Sequence, residues 1–198
     1  MILATVLAAS VAVQGGLGGG VSTTRDEGGG TSVQSAATLS ALLFRDDTFW
    51  SVGLRGLLIP GGPGYASGNE LHPHNGGLNA WGVFADLGVH TPGALRIELR
   101  GGAGFGQLGL VQCDCSENQP YNGSVAPAFI GSIAVSGPIN SEVRLGLEFG
   151  AMLLTGIDHG AGQPGLPELT SVDHPGASGL SHATLHLLAF VSWDFQRL

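Results

Sequence analysis

The chain has no lysine, only two cysteines, and charged residues at 11% of its 198 positions. Each shortage excludes something. Soluble domains usually carry about 25% charged residues, so a water-facing surface built from this chain would be thinly charged. Seven Arg stand against fifteen Asp and Glu, for a formal net charge of −8. With no basic stripe to neutralise phosphates, nucleic acid is not an expected partner. The cysteines fall in Cys113-Asp114-Cys115, one pair that by itself makes neither a zinc framework nor a disulfide scaffold. A bridge and two free thiols both remain open there. The longest apolar run, MILATVLAASVAV, falls short of the roughly 20 residues a membrane-spanning helix needs. It also lacks the positive start of a signal peptide, so residues 1–13 read either as a signal remnant or as the start of a first strand.

Glycine is in excess, at 35 residues. Without a collagen triplet, that level points to flexible loops or to strands in which side chains have no room. The length suits one domain over residues 1–198. Period-two alternation marks eight segments: about Ala8–Thr23, Ser32–Phe44, Phe49–Ile59, Leu78–Val89, Leu95–Val111, Ser124–Ser136, Val143–Thr155 and His182–Phe195. Each matches or exceeds the roughly 9 to 11 residues that cross a bilayer as a tilted strand. Three connections are tight-turn chemistries: Arg45-Asp46-Asp47, His90-Thr91-Pro92-Gly93 and Gly137-Pro138-Ile139-Asn140. The other four are TRDEGGG, PGGPGYASGNELHPHNGG, CDCSENQPYNG and IDHGAGQPGLPELTSVDHPGASG. Short turns at one rim and polar Gly/Pro-rich loops at the other are the plan of an outer-membrane barrel.

The two faces of the segments differ in kind. One register holds Leu39, Leu43, Trp50, Val52, Leu54, Leu58, Trp81, Val83, Leu87, Ile97, Leu99, Phe105, Phe129, Ile133, Leu145, Leu147, Phe149, Leu185, Leu187, Val191, Trp193 and Phe195. No charge enters it. The strand charges Arg55, Asp86, Arg96, Glu98, Arg100, Arg144, Glu148 and Asp194 all fall in the opposite register, among small residues such as Gly102, Gly104, Gly106, Gly146 and Gly150. A soluble barrel would turn the bulky register inward and this sparse one to water, where abundant Lys and Glu are usual. The expected arrangement is therefore the reverse, with lipid outside and balanced ions in a narrow lumen. Arg96, Arg100 and Arg144 are the expected partners of Glu98, Glu148 and Asp86. Aromatics gather at both segment ends: Phe49, Trp50, Trp193 and Phe195 at the short-turn rim, and Trp81, Phe105 and Phe129 toward the other. Two such girdles suit the two interfaces of a membrane.

On these features the chain resembles the eight-stranded outer-membrane barrels of Gram-negative bacteria, the outer membrane protein A transmembrane-domain and X type. The resemblance rests on topology over nearly the whole chain and on the last strand. It implies an all-β, up-and-down transmembrane barrel in the bacterial outer membrane, surrounded by lipid and lipopolysaccharide. It also implies that Leu187, Ala189, Val191, Trp193 and Phe195 form the alternating signal, closed by an aromatic, that the barrel-insertion machinery reads. Gln196-Arg197-Leu198 follow that aromatic here.

Sites for chemistry are sparse. His72, His74, Cys113, Cys115, His159 and His174 are ligand types suited to a loop-bound divalent metal; scattered polar loop residues are the plainer reading, and no cofactor is expected. His182 and His186 fall on or near the same long-loop rim, His186 in the lumenal register of the last segment. Loop carboxylates Asp26, Glu27, Glu70, Asp114, Glu117, Asp158, Glu168 and Asp173 oppose Arg25 alone, giving a repulsive, solvated rim or a holder of divalent cations that bridge to lipopolysaccharide. Ser181-His182 with Glu168 is the nearest approach to a hydrolytic or acyl-transfer set, as in a lipid-modifying barrel. Neighbours on a strand point to opposite faces, which opposes that pairing. The expected role is non-catalytic, structural or surface-interacting through four long extracellular loops; the alternatives are a lipid-modifying outer-membrane enzyme of the lipid A deacylase or acyltransferase kind, or a barrel subunit of a larger envelope complex.

Overall fold

The computed structural model describes residues 10–25, 30–44, 49–60, 65–67, 77–114, 117–157 and 180–195. The described strands are β1 (Ser10–Arg25), β2 (Gly30–Phe44), β3 (Trp50–Ile59), β4 (Tyr65–Ser67), β5 (Gly77–His90), β6 (Arg96–Asp114), β7 (Glu117–Pro138), β8 (Val143–Ile157) and β9 (Leu180–Phe195). All but β4 build one antiparallel barrel. It closes where β1 pairs with β9, from Val11 opposite Phe195 to Arg25 opposite Ser181. No described helix is long and apolar enough to cross a membrane.

One row of cross-strand partners fixes the geometry. From Ala41 it passes through Leu54, Ala85, Ala103, Phe129, Leu153, Ala183 and Thr23, and returns to β2 at Thr31, ten residues from its start. Eight strands with that stagger tilt by about 40° and close at a radius of about 8 Å. Each residue along a strand then changes height by about 2.5 Å. On that scale Trp50 and Trp193 share one level, and Trp81 and Phe105 share another about 22 Å above it, close to the height of an outer-membrane apolar band.

Local chemistry explains the described tight turns. After β5, Gly93 takes φ +111°, a left-handed conformation that glycine adopts without steric cost. Thr91 closes that turn, its N–H donating to Ile97 O at 2.9 Å and its Oγ1 accepting from Ile97 N at 3.0 Å. Between β7 and β8, Asn140 Oδ1 accepts from the N–H groups of Glu142 and Val143, both at 2.8 Å. Such an Asx arrangement stands in for backbone bonds in a turn.

The far rim departs from expectation. Only residues 26–29 separate β1 from β2, and only 115–116 separate β6 from β7. CDCSENQPYNG is thus mostly hairpin, and two of the four outward connections are short. The connection from β3 to β5 carries the short strand β4, which pairs with Gly30–Ser32 of β2. Polar residues can extend a hairpin above the membrane because the ladder, and not burial, satisfies their backbone. Residues 10–13 belong to β1.

Candidate functional site

Side-chain alternation in the barrel has the expected sense: the bulky register is outside. Leu39, Leu54, Leu87, Leu99, Phe105, Leu147 and Phe149 are all more than half exposed. Leu187, Val191, Trp193 and Phe195 of β9 are exposed in the same band, with the Trp193 and Phe195 rings stacked at 6.2 Å. At the upper level, Trp81 Nε1 donates to Gln107 Oε1 at 3.2 Å. The outward polar Gln107 thereby meets the need of the outward indole.

The lumen is built in three layers. At the centre Arg55, Asp86, Arg100 and Glu148 are almost fully buried. Arg55 donates to Asp86 Oδ2 from Nε at 3.1 Å and from Nη2 at 2.8 Å, and from Nη1 to Ser132 Oγ at 2.9 Å and Glu148 Oε1 at 3.0 Å. Arg100 reaches the same Asp86 oxygen, Nε donating at 2.9 Å and Nη2 lying 2.6 Å away as an ion pair without hydrogen-bond alignment. Its Nη1 donates to Gln14 Oε1 at 2.7 Å and lies 3.7 Å from Glu148 Oε2. Ser40 Oγ donates to Gln14 Oε1 at 3.2 Å, and His186 Nε2 lies 3.5 Å from Glu148 Oε1. Two guanidiniums against two carboxylates leave no net charge, the condition under which buried ions are tolerated. By the strand rise this layer sits near mid-height of the apolar band.

Above it the lumen is largely apolar. Ala36, Leu57, Ile59, Ala80, Phe84, Ala126, Ala128, Ile130, Met152, Leu154 and Leu188 form one buried cluster. The sequence pattern predicts balanced ions and many small residues in the lumen; the large apolar side chains of the upper half add a mainly hydrophobic plug to that picture. Glycines make it possible. A Cβ at Gly82 would strike Phe84, and one at Gly106 would lie 2.5 Å from Leu154 Cδ2. Buried His182 accompanies this layer, its Nε2 3.1 Å from Thr184 Oγ1.

Below the ions a small cleft opens toward the short-turn rim, bordered by Gln14, Ser51, Arg96, Glu98, Arg144 and Ser192 among others, with a volume of about 10 Å³. That holds about one water. Ser51 Oγ donates to Glu98 Oε1 at 3.4 Å, and Ser192 Oγ to Asp194 Oδ1 at 3.0 Å. Arg144 donates from Nη2 to Ala94 O at 2.6 Å and Ser136 O at 3.1 Å.

The eight lumen charges therefore separate. Arg55, Asp86, Arg100 and Glu148 meet, whereas Arg96, Glu98, Arg144 and Asp194 line the lower mouth. The expected pairing of Arg100 with a carboxylate is present, yet Arg55, absent from that pairing scheme, is the hub. Gln14, Ser132 and His186 complete the network; period-two alternation could place them in the lumen but not at one height. His186 is buried in the lumen, as its register on the last strand implies, and His182 is buried inside the barrel at the upper end of β9. His72, His74, Cys115, His159 and His174 lie outside the described residues, as does Glu168; Cys113 lies in β6 opposite Asn118. Ser181 is only half buried on the face opposite His182.

No protein-family model matches the sequence, and no curated protein matches it. Solved structures do match the fold. Neisserial surface protein A superposes with a TM-score of 0.63 at 11% identity, over 94% of this chain and 99% of that one. The outer membrane protein OprG from Pseudomonas aeruginosa gives 0.56 at 10% identity, over 96% and 97%. Ail, the attachment invasion locus protein of Yersinia pestis, solved with the heparin analogue sucrose octasulfate, gives 0.50 at 10% identity, over 93% and 99%. With its lipid-facing belt and closed ring of strands, the chain has the fold of the eight-stranded β-barrels of the bacterial outer membrane.

Proposed function

We propose that the protein is a non-catalytic outer-membrane barrel with a sealed lumen, working at the cell surface through its outward connections and in contact with outer-membrane lipid and lipopolysaccharide. The observation that carries this reading is the neutral four-ion layer beneath an apolar plug. An interior of about 8 Å radius at eight strands has room for side chains and little else. A solute crossing it would have to displace both layers. Reconstituted into planar bilayers, the protein is expected to show no steady conductance; stable, large single-channel steps would overturn the sealed lumen.

Apart from the lipid in which the barrel sits, the surface partner is expected to be neutral or cationic. Ail was solved with a polyanion analogue, but a chain at net −8 without lysine offers a polyanion little attraction. Leu187, Val191, Trp193 and Phe195 are proposed as the signal read during insertion. A lipid-modifying activity finds little support, because Ser181 and His182 occupy opposite faces of β9. An envelope-complex role would use the flat exterior at Gly101 and Gly131, which face each other across β6 and β7.

A further inference from the structure

Among the described residues, the barrel wall has a seam between β7 and β8 whose cause is covalent. The ladder between β7 and β8 ends at Ala128 opposite Leu154, although β7 continues up to Glu117 and β8 to Ile157. Pro127 pairs with Phe105 of β6. Lacking an N–H, it can sit only where that group would point away from β6, hence toward β8. Residues of the same parity, Phe129 and Val125, also aim their backbone groups at β8. The next hydrogen-bonded pair above Phe129 and Leu153 would thus be Pro127 and Thr155, and Pro127 has no proton for the Thr155 carbonyl. Immediately after Thr155, Gly156 takes φ +70° and the register with β9 shifts between Thr155 and Ile157, so β8 departs from β7 there.

Height and surroundings identify the occupant. By the strand rise, Pro127 lies at the level of Trp81 and Phe105, the upper edge of the lipid belt. Phe105, Val125, Phe129 and Leu153 flank the seam and are exposed, continuous with that belt. Behind it Ala126, Ala128 and Leu154 are closed off at 1% exposure or less, so nothing passes into the lumen. A site with an apolar floor and a backbone carbonyl lacking its ladder donor, at the top of the hydrocarbon, matches the head of an acyl chain that carries a hydroxyl or amide N–H. We propose that this seam binds an outer-leaflet lipid of that class, its hydroxyl or amide donating to the Thr155 carbonyl while its chain lies over Phe129 and Leu153. Lipids with only ester linkages offer no such donor and are discriminated against. The proposal rests on the outer-membrane reading above.

The test uses the full chain in nanodiscs of phosphatidylcholine, with and without added lipid A, and Pro127→Val as the variant. Valine suits an exposed strand position and supplies the missing N–H. Native mass spectrometry is expected to find lipid A retained by the parent protein about fivefold more than by Pro127→Val, the ratio one net hydrogen bond gives. The carbonyl carbon resonance of Thr155 is expected to shift on adding lipid A in the parent chain only. Equal retention by both proteins, or a Thr155 resonance indifferent to lipid A, would overturn the proposal and assign the carbonyl to water or to the chain itself. Heat-modifiable migration of both proteins on gels, read in parallel, reports on the barrel reading independently.

Discussion

Arg55 is the most consequential single side chain in the lumen. Its side chain is 1% exposed, it carries three contacts to two carboxylates, and it also donates to Ser132. Replacing it with Met keeps much of the volume and leaves Asp86 and Glu148 facing Arg100 alone, a buried net charge of about one unit. Breaking a buried ion pair from one side costs about 3–5 kcal/mol, and full burial removes any reason to discount that for solvent. With a urea slope of about 2 kcal/mol/M, the unfolding midpoint of Arg55→Met should fall by about 1.5–2.5 M. Glu148→Gln, which leaves an excess positive charge, should behave comparably. The pair Arg55→Met with Glu148→Gln returns the layer to neutrality around Arg100 and Asp86, and should be more stable than either single variant, with a coupling of at least about 2 kcal/mol. Tryptophan fluorescence during urea titration in lipid vesicles reads all three. Single losses below about 1 kcal/mol, or a double variant whose loss is the sum of the singles, would refute the description of these residues as one charge-balanced unit.

Three further outcomes test other parts of the structure. Leu54, exposed on the outer face near mid-height of the band, should cost about 2–4 kcal/mol when changed to Arg in lipid; a neutral effect in vesicle refolding would place that face in water. Gly104→Ala drives a Cβ into the Val83 carbonyl, whereas the nearest atom to a Cβ at Gly101 is 3.9 Å away, so Gly104→Ala should lose about 1–3 kcal/mol and Gly101→Ala should be neutral or slightly stabilising; the reverse order in thermal unfolding would mean the wall is inside out. In single-tryptophan variants, Trp50, Trp81 and Trp193 should all be quenched more by lipids brominated near the headgroup than by those brominated near the chain end, since all three sit at interfaces.

The lipid-facing register was legible because a charge facing the bilayer is costly: from Leu39 to Phe195 a single charge would have been visible. The tight turns were legible for the same local reason, the chemistry of Thr91, Gly93 and Asn140. What lies inside was less so. A lumen accepts apolar and polar residues alike, so Ile59, Phe84, Met152 and Leu154 gave no contrast against Ala and Gly in their register. Which ions meet depends on the ten-residue stagger, a property of the closed ring; Arg55 on β3 and Glu148 on β8 are 93 positions apart, and nothing in either segment names the other. The extension of β6 and β7 was hidden because Gln, Asn and Cys above the membrane carry no alternation of hydrophobicity. The Pro127 seam likewise needed the register, since a proline in a strand reads only as a weak position until its neighbour is known.

The bulky register meets lipid and the central ions meet each other, in a closed eight-stranded barrel. Fractionation of cells followed by gel migration with and without boiling tests it most directly. The protein is expected in the detergent-extracted outer-membrane fraction, with an unboiled band that migrates differently from the boiled one because the barrel stays folded in the gel. Recovery in the soluble fraction, with one band under both conditions, would contradict it.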